Sequence, residues 1–231
     1  MNKICLLAVL VGMNYSFAQK KEVESSDKIR SYSIKFCPTQ IIVGEFNFSY
    51  EQRVAKRISI ELEGGPTISQ FGIGFGNQRL WQGSSGIGLF NFKPIDYQAK
   101  NGIGFLFSIA PRIYPTGTPY TMKKFYISPQ IKYRVYNYNM RDFNEVLDPT
   151  KASVDQLTFR FLLGLQFWPK DANFSLDVFW GLGLTSYTIR GKEYEYLLDP
   201  NGYTSTPYWN SYRDNGVMFN FTTGLKLGFG N

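Results

Sequence analysis

The stretch Val217-Met218-Phe219-Asn220-Phe221-Thr222-Thr223-Gly224-Leu225-Lys226-Leu227-Gly228-Phe229 decides the fold. Val217, Phe219, Phe221, Thr223, Leu225, Leu227 and Phe229 fall on one face, and Met218, Asn220, Thr222, Gly224, Lys226 and Gly228 on the other. A period of two marks a strand, because a helix would scatter these residues round its axis. The run is also long: soluble strands average about 5–6 residues, whereas a tilted strand that crosses a bilayer needs about 9–11.

The same alternation recurs seven times upstream and predicts strands over 31–37, 42–53, 58–64, 102–114, 124–136, 154–168 and 173–188. In 154–168, for example, Leu157, Phe159, Phe161, Leu163, Leu165 and Phe167 oppose Thr158, Arg160, Leu162, Gly164 and Gln166. Connections alternate between short turns, such as 54–57 and 169–172, and long segments, such as 65–101, 137–153 and 189–216. Eight strands put both termini at one end, and alternating short and long connections are the habit of bacterial membrane barrels.

Charge settles which face is which. Strand by strand, the apolar face holds about 42 positions; with 19% charged residues overall, about eight charges would fall there by chance, and none does. The opposite face carries Lys35, Glu45, Glu51, Glu61, Glu63, Arg112, Lys132, Arg134, Arg160, Asp177 and Lys226. A soluble ligand-binding barrel of the lipocalin kind would show the reverse, with an apolar interior. The pattern therefore predicts an all-β fold, an eight-stranded antiparallel up-and-down transmembrane β-barrel over 31–231.

The chain's start fits that address. Lys3, the apolar run 4–13 and Ser16-Phe17-Ala18 make a secretory signal peptide over 1–18, too short in its apolar part for a membrane helix of about 20 residues. A polar lead-in over 19–30 is expected on the periplasmic side, and the expected location is the outer membrane. Cleavage would take Cys5 and leave Cys37 alone, which excludes an intrachain disulfide.

Histidine is absent from the chain. That removes Ser-His-Asp and Cys-His pairs and histidine-ligated metals, so no catalytic residue, cofactor site or metal site is expected and the protein is expected not to be an enzyme. The net charge of +7 forms no basic stripe, which argues against nucleic acid as a partner. Gly72-Ile73-Gly74-Phe75-Gly76 lacks the helix and the Lys-Ser/Thr of a phosphate loop and is expected to be an outer loop.

Two further motifs are Tyr50-Glu51-Gln52-Arg53, leading through a turn into Ile58-Ser59-Ile60-Glu61-Leu62-Glu63, and Tyr114-Pro115-Thr116-Gly117. With the strand pattern, they make the chain resemble small Gram-negative outer-membrane barrels of the OmpA/OmpX type and, more closely, uncharacterised secreted barrel families. The resemblance implies the fold and location, insertion by the barrel assembly machinery among outer-membrane lipid and lipopolysaccharide, and no activity. The final aromatic is Phe229 rather than the last residue, a departure from the usual assembly signal.

An eight-stranded bore is just wide enough for side chains to fill. The inward charges are expected in two paired layers, Glu51, Glu61, Asp177, Arg112 and Lys226 below and Glu45, Glu63, Lys132, Arg134 and Arg160 above. With lipid outside and a plugged lumen, only the outer rim is free to meet a partner. Tyr208, Trp209 and Tyr212 are the candidate extracellular contact for a surface glycan or protein, since Tyr and Trp offer large contact area with a polar tip. The expected function is a non-enzymatic anchor that displays long extracellular loops. The alternatives are a small diffusion channel and a soluble secreted lipocalin-like barrel.

Overall fold

The computed structural model describes residues 30–68, 97–116, 122–142, 148–169, 172–198 and 205–231. The signal segment, the lead-in before Arg30 and the glycine run 72–76 lie outside these residues.

Nine strands are present among the described residues: β1 (Tyr32–Cys37), β2 (Asn47–Ala55), β3 (Ile58–Ile68), β4 (Tyr97–Asn101), β5 (Ile103–Ile113), β6 (Lys124–Asp142), β7 (Thr150–Phe167), β8 (Phe174–Leu198) and β9 (Ser205–Gly230). β4 and β5 run on from one another across Gly102 and pair with successive parts of β6, so together they form one wall segment. Every pairing is antiparallel, and each wall segment, with β4 and β5 counted as one, lies beside its sequence neighbours. The sheet then closes on itself, β9 against β1, with Ser33 opposite Gly230 and Phe36 opposite Leu227. The result is a ring of eight antiparallel strands with sequence-adjacent neighbours.

Alternation along each strand decides what the ring encloses. The outward positions are apolar and exposed, among them Ile34, Phe48, Phe107, Ile131, Phe159, Leu182 and Phe219. The inward positions are polar and buried, with Lys35, Glu51, Glu61, Arg112 and Asp177 all at or below 1% exposure. An apolar cluster of Cys37, Tyr114, Met122, Tyr126, Leu162 and Phe179 shares the interior with them.

Four stretches, 42–46, 65–101, 137–153 and 189–216, depart from the strand boundaries expected from sequence, the second because 65–68 extend β3 and 97–101 form β4. Residues 42–46 are not the start of a strand: Pro38–Val43 form a 3-10 turn, η1, with proline in its first turn. Pro38 cannot donate to the β1 ladder, and Gly44 ends the turn at a φ of 78°, a left-handed conformation that glycine adopts without strain. Conversely, much of 137–153 and 189–216, expected as loops, continues the neighbouring strands. β8 and β9 form a hairpin paired without interruption from Phe174 opposite Phe229 to Leu198 opposite Ser205. Along 206–216 of β9 the residues are exposed or half-buried rather than alternately exposed and buried, so no apolar period marks the extension in the sequence.

Candidate functional site

Closure brings inward positions of all eight wall segments into one small interior, where each buried charge must find a partner. Arg112 of β5 is the centre of the lower group. Its Nη1 donates to Asp177 Oδ2 of β8 at 2.6 Å and its Nη2 to Glu61 Oε2 of β3 at 2.5 Å. Its guanidinium also lies over the Tyr126 ring, 4.2 Å from the centroid. Tyr126 Oη donates to the other Asp177 oxygen at 2.8 Å. Tyr114 Oη lies 2.6 Å from Glu51 Oε1 and 2.7 Å from Gln166 Oε1, with one proton to share between them.

Lys35 belongs to this group as well. Its Nζ is 2.6 Å from Glu51 Oε2, 2.9 Å from Asp177 Oδ2 and 3.6 Å from Glu61 Oε2. The alternation of β1 gives Lys35 its inward phase, but neither expected layer includes it, because its level follows from the register that sets it beside Ser49 of β2 and Gly228 of β9.

The upper group gathers round Glu45 and Glu63. Lys132 Nζ donates to Glu45 Oε2 at 2.5 Å and to Glu63 Oε1 at 2.9 Å. Arg134 Nη1 and Tyr136 Oη both donate to Glu45 Oε1, at 2.7 and 3.0 Å. The two groups are not separate. Lys226 Nζ donates to Glu61 below at 2.5 Å and to Glu63 above at 2.9 Å, which makes one continuous network. Arg160 stands apart. Its Nε donates to Gln130 Oε1 at 2.5 Å, and among the described residues no carboxylate lies within ion-pair distance of it.

The bore is therefore filled by ion pairs rather than shaped as a cleft around a reactive group. Among the described residues no group of three or more Cys, Asp or Glu side chains is placed to hold a metal ion. Glu51, Glu61 and Asp177 gather on the cations Lys35 and Arg112 instead.

The structure does not bring Tyr208, Trp209 and Tyr212 onto one face. They lie on β9, opposite Glu195, Tyr194 and Gly191 of β8, so Tyr208 and Tyr212 share a face that Trp209 does not. Tyr208 is exposed, and its Oη donates to Glu195 Oε2 at 2.6 Å, a bond that holds the phenol pKa above its ordinary value. Trp209 packs against Tyr138 and Ala152, and its Nε1 donates to the Asp148 carbonyl at 3.1 Å. That indole ties the β8–β9 hairpin to the neighbouring β6–β7 hairpin. At the opposite rim, Arg30 lies over the Trp168 ring, 4.0 Å from its centroid.

In comparisons with known proteins, no family model, no curated protein and no solved structure matches the chain.

Removing one partner of a buried ion pair costs about 3–5 kcal/mol, whereas stranding a neutral hydrogen-bonding group costs about 1–3 kcal/mol. Arg112→Ala, which strands Asp177 and Glu61, is therefore expected to lower stability in a urea titration by at least twice as much as Arg160→Ala, which strands only Gln130. Equal losses would mean that the geometry of the pairs does not set their worth.

Proposed function

We propose that the chain is a non-enzymatic β-barrel of the outer membrane, a plugged anchor that carries a long rim hairpin for contacts at the cell surface. One observation carries this: the inversion of faces. Isoleucine, leucine and phenylalanine surround the ring on the exposed side, while among the described residues Lys35, Arg112, Lys132, Arg160 and Lys226 and five carboxylates are buried inside it. Water would penalise the first arrangement, and soluble monomers rarely expose apolar patches of more than a few hundred Å². Lipid favours it, and a closed antiparallel sheet leaves no unpaired edge for the hydrocarbon to meet.

Size supports the same conclusion. On β9 the outward apolar run extends from Val217 to Phe229. At about 3.3 Å per residue and a tilt of about 40°, it rises roughly 30 Å, the thickness of a hydrocarbon core. No helix among the described residues is long and apolar enough to cross a membrane, so strands would do the crossing.

The ion network bears on the alternatives. A diffusion channel needs a wet path, and Arg112, Lys35 and Lys226 join opposite walls across the bore instead. A soluble lipocalin-like barrel needs an apolar interior, and this interior is charged. The β8–β9 hairpin reaches well beyond the belt and presents Tyr208 on its surface, a position suited to a surface glycan or protein.

Outer-membrane fractions should contain the protein as a band that migrates faster without boiling than after it, and the purified protein should give no steady conductance in planar bilayers. A protein confined to the soluble periplasm would rule out the membrane location, and steady single-channel currents would rule out the plug. Replacing residues 193–212 with a short Gly-Ser turn is expected to leave the heat-modifiable band while reducing cell-surface binding at least severalfold. Unchanged binding by the shortened barrel would remove the hairpin as the contact.

A further inference from the structure

The wall of the ring is not uniform, and an irregular seam leads to Arg160, which has no carboxylate partner among the described residues. β1 ends at Cys37, and its ladder with β9 stops at Phe36 opposite Leu227. Above that point η1 takes over with side chains. The Leu225 N–H donates to Thr39 Oγ1 at 3.0 Å, and Gln40 Nε2 donates to the Thr223 carbonyl at 3.2 Å. Higher still, among the described residues, β9 pairs with β8 alone.

A cavity of about 690 Å³ opens at this seam. Its lips are Ile42, Val43 and Phe221, all exposed, and Phe221 belongs to the outward apolar belt. Its inner end is lined by Arg134 and Arg160, across the bore on β6 and β7. Arg160 is 4% exposed and gives only its Nε to the protein. Arg134 Nε and Asn220 Oδ1, also in the lining, are buried without hydrogen-bond partners. Among the described residues of the bore, Lys35, Arg112, Lys132, Arg134, Arg160 and Lys226 are set against Glu45, Glu51, Glu61, Glu63 and Asp177.

We propose that this seam is a binding site for one long-chain carboxylate amphiphile, with its carboxylate on Arg160 and Arg134 and its acyl chain leaving between Phe221 and Ile42–Val43. A guanidinium presents N–H donors in a fork that matches two carboxylate oxygens, and the free donors of both arginines are of this kind. The Asn220 amide can turn its Nδ2 to the same anion. A volume of about 690 Å³ lies within the roughly 300–1,000 Å³ usual for ligand pockets and accommodates a headgroup with part of one chain.

Depth selects a single chain. Phe221 lies four residues below Val217, at the upper edge of the belt, which corresponds to roughly 10 Å along the tilted strand. A two-chain lipid keeps its glycerol near that edge, whereas a free amphiphile can slide inward until its charge meets the arginines. The site rests on the membrane-barrel function proposed above, because the entry lies in the belt.

The test uses the full chain in phosphatidylcholine nanodiscs, each sample first checked for the heat-dependent band shift. Binding of oleate, oleyl alcohol, acetate and oleoyl-lysophosphatidylglycerol is then titrated. One oleate per barrel is expected, bound at least tenfold more tightly than oleyl alcohol and with no measurable acetate binding. Arg160→Gln, which keeps a polar partner for Gln130, and Val43→Trp, which narrows the mouth without touching the network, should each weaken oleate at least tenfold. Equal binding of oleate and oleyl alcohol, or oleate binding unchanged in both variants, would overturn the site. Tighter binding of the lysophospholipid than of oleate would overturn the carboxylate assignment. A chain that shows no band shift overturns the membrane barrel itself, a result distinct from a folded barrel that ignores oleate.

Discussion

Arg112 donating at once to Asp177 and Glu61 is the contact on which the rest of the interior depends. It joins β5 to β8 across the bore and to its neighbour β3, and Lys35 and Lys226 extend the same network to β1 and β9. Ion pairs buried this deeply are poor sources of net stability, since desolvation cancels much of their attraction. Their value here is geometric. A strand slipped by one residue would turn its inward charge out into the apolar belt and strand its partners inside, so the network penalises every wrong register.

Lys226 shows how the network and the wall are coupled. It sits at the level where β1 gives way to η1, and it bridges Glu61 to Glu63 just as the regular ladder between β1 and β9 ends. Below this level the ring is closed by backbone pairing, and above it by the side chains of Thr39 and Gln40. The seam is therefore where a cavity leads from the outer apolar surface toward Arg134, which is paired with Glu45, and Arg160, which among the described residues meets no carboxylate.

The ring itself is legible in the sequence because its strands alternate apolar, exposed positions with polar, buried ones. Phe159 and Arg160 are adjacent and yet belong to opposite environments, and that contrast repeats along β7 and β9. Residue partners are legible only by level: Glu45 and Lys132 fall in one expected layer and touch, whereas Lys35, outside both expected layers, meets Glu51 and Asp177. Levels depend on the stagger of neighbouring strands, and no single strand's pattern contains it. The hairpin extension of β8 and β9 is not legible, since residues 206–216 are only exposed or half-buried. Trp209 was noticed for its chemistry, but its packing against Tyr138 and Ala152 depends on a hairpin distant in sequence.

The central claim is that the exposed apolar face of the ring meets lipid. Site-directed spin labelling tests it most directly. In a Cys37→Ser background reconstituted into liposomes, single nitroxides are placed at Leu62, Phe107, Phe159, Leu182 and Phe219 on the belt, and at Ser211 on the rim hairpin. Collision with oxygen should dominate at the five belt positions, and collision with an aqueous nickel chelate should dominate at Ser211. Belt labels as accessible to the nickel chelate as Ser211 would contradict a lipid-facing surface.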